Sequence, residues 1–221
     1  MSIGERSATK ILVIGGSRGI GLETVRTALR AGYSVRALAR SAAGIPIADV
    51  GLDKLSGDAL DRDTIRNALQ DVDAVIQTLG VDFSPRLIFE GTSLFSESTR
   101  ILVDAMNAAG VKRLITVTGI GAGDSRGHGG FLYDAILFPL LLKRVYDDKD
   151  VQERIVRSSG LDWTIVRPGM LSNGPATGRY RVLTASKDWR FGVISRDDVA
   201  NFLVRLIKDP ALIGATPLLI D

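Results

Sequence analysis

The groups able to do chemistry in this chain fall into two sets. One is the run Gly15-Gly16-Ser17-Arg18-Gly19-Ile20-Gly21; the other is a handful of proton-handling side chains, Thr118, Tyr146, Lys149 and Glu153. Gly15, Gly19 and Gly21 stand in a G-x-x-x-G-x-G arrangement. That spacing turns the chain tightly, lets backbone approach a pyrophosphate, and seats a helix on a strand without side-chain obstruction. Bare N–H groups at the helix start then face the phosphates, so Gly15, Ser17, Arg18, Gly19 and Ile20 are expected to line a dinucleotide. With 24 glycines in the chain, the triplet gains its meaning from context. It follows the apolar run Ile11-Leu12-Val13-Ile14 and precedes a helix-compatible stretch, 22–31, closed by Gly32.

Nineteen positions after Gly21 stands Arg40, where a fold selective for the unphosphorylated cofactor carries an acid for the ribose hydroxyls. Arg40 and Ser41 instead offer a cation and a hydroxyl to a 2′-phosphate, and Arg18 can approach the same group. The expected cofactor is NADP(H) in preference to NAD(H). Gly57-Asp58 ends a third strand: the carboxylate either accepts from the adenine amino group, with Ala59 alongside the ring, or is an exposed turn aspartate. Leu79-Gly80 ends a fourth, either admitting the cofactor's ribose or simply leaving the strand.

The proton-handling set belongs to the other end of the cleft. A fifth strand ends at Thr116-Val117-Thr118-Gly119, which projects the Thr118 hydroxyl toward the nicotinamide end. Lys149 and Glu153 lie one helical turn apart, either as a solvated pair or with Lys149 on the cofactor. His128 and Tyr133 could donate protons chemically, or be exposed and inert in a loop with six glycines in residues 119–130.

These residues need a scaffold, and the apolar rhythm supplies one. Strand-like runs recur at 11–14, 34–39, 74–79, 114–118 and 164–167, with a shorter one at 54–56. Helices fit 22–31, 61–70, 97–109 and 146–159, with Asp61 as a cap and Gly32, Gly110 and Gly160 as stops. Such alternation is a parallel sheet with helices on both faces, whose ligands bind beyond the carboxyl ends of the strands. After Pro168 come turns, short strands at 181–184 and 191–194, a helix at 196–208 capped by Ser195, and a final edge strand at 218–220. The whole of 1–221 reads as a single domain in which 168–194 and 211–221 are a C-terminal elaboration. Residues 131–142 fit a lid or core.

Composition narrows the function classes. At 45% hydrophobic and 24% charged the chain is an ordinary globule, and its longest apolar run is interrupted by Pro139 and too short to span a bilayer. There is no cysteine and one histidine, so no metal site is expected. The 28 basic and 25 acidic residues are scattered, so no nucleic-acid partner is expected. A polar N-terminus without a secretory pattern points to the cytoplasm. The expected partner is a small-molecule substrate, with the oligomeric state left open.

The chain resembles the short-chain dehydrogenase/reductase superfamily, specifically its atypical single-domain members, the NmrA-like and flavin-reductase-like group. The resemblance is carried by the glycine run, Val35-Arg36-Ala37-Leu38-Ala39-Arg40, Gly57-Asp58, Gly110-Val111-Lys112-Arg113-Leu114, Ser159-Gly160-Leu161-Asp162-Trp163-Thr164-Ile165-Val166-Arg167-Pro168-Gly169 and Ile194-Ser195-Arg196-Asp197-Asp198-Val199-Ala200. It implies a Rossmann-type doubly wound α/β fold and an NAD(P)H cofactor. It also implies a loop at Pro168-Gly169-Met170 passing the nicotinamide amide, with Met170 lining the substrate pocket. The superfamily's usual catalytic set joins a Ser or Thr to Tyr-x-x-x-Lys, in which the lysine lowers the tyrosine's pKa. Thr118 and Lys149 match it. The residue four before Lys149 is Val145, and Tyr146 is displaced by about 100° around the helix. The resemblance therefore implies an NADPH-dependent oxidoreductase acting on a small conjugated, quinone-like or flavin-like acceptor, with Thr118 and Lys149 orienting the reacting end and solvent supplying the proton. The other reading is a non-catalytic NADP(H)-sensing protein of NmrA-like type.

Overall fold

The computed structural model describes residues 9–81, 92–125 and 143–221. Its strands are β1 (Lys10–Ile14), β2 (Ser34–Ala39), β3 (Leu52–Ser56), β4 (Ala74–Gln77), β5 (Arg113–Val117), β6 (Asp162–Pro168), β7 (Met170–Ser172), β8 (Arg181–Leu183), β9 (Val193–Ser195) and β10 (Leu218–Ile220). Helices α1 (Gly19–Arg30), α2 (Arg62–Ala68), α3 (Leu94–Ala109), α4 (Lys143–Arg157) and α5 (Arg196–Arg205) connect them. His128, Tyr133 and the 131–142 segment lie outside the described residues, as do the first eight residues.

Eight strands form one sheet in the order β3-β2-β1-β4-β5-β6-β10-β8, parallel except where β8 runs antiparallel to β10; β7 and β9 pair as a separate parallel ribbon. The strand order reverses at β1, which pairs with β2 on one side and β4 on the other. A crevice opens there beyond the strands' carboxyl ends.

Alternation along β1 explains the two helical layers. Ile11 and Val13 face one side and join Val25, Ala28, Val199, Phe202 and Leu203 of α1 and α5. Leu12 and Ile14 face the other and join Ile65, Leu102, Met106 and Val156 of α2, α3 and α4. All four β1 side chains are buried, and each such aliphatic group contributes about 1.5 to 3 kcal/mol.

Helix boundaries follow local chemistry. Asp61 accepts from the N–H groups of Asp63 and Thr64, and Ser195 from that of Asp198. Gly32, Gly110 and Gly160 all adopt left-handed conformations just beyond their helices. One expectation fails: β10 is not an edge strand. It lies between β6 and β8, with Leu218, Leu219 and Ile220 all buried, because both its backbone edges find partners. The edge belongs to β8.

Candidate functional site

The crevice beyond β1 is shaped by glycine geometry. Gly15 has a φ of +88°, and its N–H donates to the Leu38 carbonyl at 2.8 Å, tying the loop to β2. A methyl group on Gly21 would drive into the Gly15 carbonyl oxygen, and one on Gly16 would come within 3.1 Å of the Ala37 Cβ and 3.2 Å of the Val25 Cγ2. Only hydrogen fits at Gly21, and a side chain at Gly16 requires its neighbours to give way.

At α1 the N-cap Arg18 is extended, makes no side-chain capping bond, and no acid occupies the first turn. Three other helix starts are served. Asp61 caps α2, Ser195 caps α5, and Asp148, reaching across from α4, accepts from the Phe95 N–H at 2.9 Å at the start of α3. The first N–H groups of α1 have no intrahelical acceptor by geometry, and their partial positive charge suits a phosphate. The cradle therefore fits a dinucleotide's pyrophosphate.

The remaining residues expected at this end gather around it. Ser41 Oγ donates to Ser17 Oγ at 3.1 Å, joining the glycine loop to the end of β2, with Arg40 exposed beside it. Asp58 is exposed, and its Oδ1 accepts from the Leu60 N–H at 3.0 Å, so the turn role is present. Ala59 is buried in the core with Ile65 and Ala68. Leu79 is half-buried against Phe95 and Val145, while Gly80 is exposed with open space about it.

The β5 end is built from charge. Thr118 Oγ donates to Glu153 Oε1 at 2.9 Å. The same carboxylate takes two bonds from Arg167, Nε to Oε1 at 2.9 Å and Nη2 to Oε2 at 2.6 Å. Arg167 Nη2 also meets Asp124 Oδ1 at 2.6 Å, and its guanidinium stacks 5.0 Å from the Trp189 ring. Arg167 and Glu153 are 0% and 2% exposed. Burial pulls the Arg167 pKa down, but its bonds to Glu153 and Asp124 outweigh this and hold it above its ordinary value. The solvated Lys149–Glu153 pair considered from sequence is thus overturned: both residues are buried, and Glu153 serves Thr118 and Arg167 instead.

Lys149 is positioned by a chain of contacts that begins at Asp148. That carboxylate anchors the start of α3 and so places Phe95, over whose ring Lys149 Nζ sits at 3.9 Å; a long 3.5 Å bond runs from Nζ to the Val117 carbonyl. Burial lowers the Lys149 pKa to about 8 against the opposing attraction of Glu153 and Asp148. Gln152 fixes α4 on the sheet, donating through Nε2 to Gln77 Oε1, Thr99 Oγ1 and Thr116 Oγ1 at 3.1 to 3.2 Å.

Val145, the position expected for a phenol, is 4% exposed and packs on Phe95. Tyr146 nevertheless reaches the strand end: its hydroxyl lies 2.9 Å from where a Cβ on Gly119 would stand, and the φ of +152° at that position favours glycine. Pro168 is buried at the end of β6, and its carbonyl accepts from the Ile120 N–H at 3.1 Å, closing the loop after β5 against β6. Met170 is 54% exposed on β7 and is paired in register with the exposed Val193 of β9.

Asp124 and Phe95 escape a reading by motif, as does the pairing of Glu153 with Arg167. One signal was available: Arg167 interrupts the apolar run of β6, and a charge inside a buried strand demands a partner. Among the described residues no cluster of His, Asp and Glu has metal-binding geometry, and no helix is long and apolar enough to cross a membrane.

Comparison with known proteins agrees with this geometry. Residues 15–210 match the family model described as NAD(P)H-binding. The uncharacterised sugar epimerase YhfK of Bacillus subtilis (strain 168) is 32% identical over 186 residues, 80% of this chain and 77% of that protein. The solved structure of ChuY, an anaerobilin reductase from Escherichia coli O157:H7, superposes with a TM-score of 0.76 at 27% identity, covering 96% of this chain and 97% of that one. An NAD(P)H azoreductase from Xenophilus azovorans is 31% identical over 163 residues, 72% of this chain but 47% of that protein. The chain belongs to the NAD(P)H-binding family, as an atypical short-chain dehydrogenase/reductase.

Proposed function

We propose that the protein is an NADPH-dependent reductase that delivers hydride to a small conjugated acceptor of quinone-like or flavin-like type. One observation carries this reading: where the superfamily's alcohol chemistry needs a phenol, Val145 is buried against Phe95, while Thr118 and Lys149 remain placed at the end of β5. A conjugated acceptor takes hydride on carbon or nitrogen and a proton from solvent, so orientation suffices. The exposed apolar surface of Met170 and Val193 supports a flat, apolar substrate. The names of two relatives, an azoreductase and an anaerobilin reductase, point the same way.

When bound, the reduced nicotinamide supplies the hydride. The chain's own residues divide the other tasks. Gly15, Ser17, Arg18, Gly19 and Ile20 receive the phosphates, with Arg18, Arg40 and Ser41 on the 2′-phosphate. Asp58, Ala59, Leu79 and Gly80 border the adenosine. Pro168 and Met170 flank the reacting end. Because Thr118 spends its proton on Glu153, its oxygen is left to accept, which suits it to hold a donor such as an amide or ribose hydroxyl. Lys149 supplies a cation on the same side.

The absent phenol also favours a second reading, an NADP(H) sensor without turnover. Oxidation of NADPH in the presence of a quinone and flavin panel separates the two: steady turnover is expected, and tight NADPH binding with no turnover on any acceptor would leave only the sensor. Nucleotide titration checks the phosphate preference. Arg40→Ala should weaken NADPH binding about 10-fold and leave NADH unchanged; equal affinity of the unaltered protein for NADPH and NADH refutes the role of Arg40.

A further inference from the structure

Arg196 is the first residue of α5, yet its side chain belongs to the glycine loop. Its Nε lies 3.9 Å from the position a Cβ on Gly19 would take. Gly19 opens α1, whose N-terminal turn has neither a side-chain cap nor an acid. A guanidinium is therefore held beside the positive end of one helix while rooted at the positive end of another.

That arrangement is unfavourable unless an anion joins it. Among the described residues no carboxylate pairs with Arg196; its polar partner is neutral, with Nη1 donating to Asn173 Oδ1 at 2.6 Å. The acids of α5's own first turn do not relieve it from that side. Asp198 turns its carboxylate to the N–H groups of Thr177 and Gly178 and to the Ser195 hydroxyl, and no hydrogen bond or ion pair joins Asp197, the next residue along from Arg196, to the guanidinium. The planar fork keeps most of its five donors for something else.

We propose that Arg196 binds the cofactor's pyrophosphate from above the glycine loop and, through Asn173, latches the C-terminal ribbon to the bound nucleotide. The proposal rests on the reading of the crevice as an NADP(H) site. Asn173 follows β7 and Arg196 follows β9, and Ser172 pairs with Ser195 between them. A phosphate gripped by Arg196 therefore fixes the strand that carries Met170. Cofactor would bind first and set the substrate side.

The test is calorimetric titration of the full chain with two ligands: NADPH, and adenosine 2′-monophosphate, which has the 2′-phosphate but no pyrophosphate. Arg196→Ala should weaken NADPH binding by about 10- to 100-fold and change adenosine 2′-monophosphate binding by less than about twofold. Hydrogen exchange supplies a second readout: NADPH should protect 170–173 and 193–196 in the unaltered protein, and this protection should vanish in Arg196→Ala. Arg196→Lys, which keeps charge but loses the fork, should fall between. Arg196→Ala binding NADPH like the unaltered protein, or losing both ligands equally, overturns the proposal while leaving the crevice assignment standing. Failure of the unaltered protein to bind either ligand overturns both.

Discussion

At the glycine-loop end of the crevice the floor is backbone, hydroxyls and hydrogen atoms, with Ser17 and Ser41 touching and Gly21 pressed on Gly15, and the charged groups beside it, Arg40 and Arg196, are cations. At the β5 end the walls are ions: Glu153, Arg167 and Lys149 are buried, and the exposed Asp124 closes the network from the solvent side. The first end keeps side chains off its glycine floor so that a ligand can bring negative charge to the arginines around it. The second has its charges in place beforehand and must keep them balanced with or without a ligand. Substitutions at the loop should therefore strike affinity, and substitutions at β5 should strike folding.

The largest effect is expected at Glu153. Its loss leaves Arg167, at 0% exposure, with the exposed Asp124 as its remaining carboxylate, so Glu153→Ala should cost about 3 kcal/mol in urea-monitored unfolding. A loss below about 1 kcal/mol would mean that the ion network does not carry the fold there. Next is Gly21→Ala, which should weaken NADPH binding by at least about 100-fold, with near-normal helix content by circular dichroism. Equal losses of affinity and stability would erase the contrast between the two ends.

Lys149→Met tests a subtler point. Burial lowers the Lys149 pKa from 10.5 to about 8, so between those values the unfolded chain binds the extra proton and stability rises with pH. Below about pH 8 the buried ammonium is a standing cost. The methionine variant should be more stable at pH 7 by roughly 1 to 3 kcal/mol, and its melting temperature should no longer climb between pH 8 and 10. A destabilised variant would show that the Phe95 contact outweighs desolvation. Smallest of all, Tyr146→Phe should change the reductase rate less than about threefold if solvent is the proton source. A fall of 100-fold or more would make Tyr146 the acid despite its displaced position.

The same contrast governs what the sequence discloses. The loop is legible because its constraints are local: the glycines, the preceding strand and the following helix are contiguous, and Arg40 lies at a fixed step beyond. Asp61 and Ser195 cap helices that begin at the next residue. The β5 end depends on groups that meet only after folding. Asp148 caps a helix start 53 positions away, and Thr118 finds Glu153 across 35. No periodicity encodes such meetings, and a Lys–Glu spacing of four reads equally as a surface pair. The place of β10 was hidden for a similar reason, since three apolar residues do not say which neighbours they will have.

That last strand has a consequence for how the molecule assembles. β8 precedes β10 in the chain by some thirty-five residues, yet its ladder to the sheet runs through β10 alone. Residues 181–183 therefore have no template when they are synthesised and must wait for a later segment to dock on β6. Trp189, whose indole donates to the Leu183 carbonyl and whose ring covers Arg167, waits with them. The lid over the ion network is then a late event in folding, and the refolding kinetics of Trp189 fluorescence should lag behind the recovery of secondary structure.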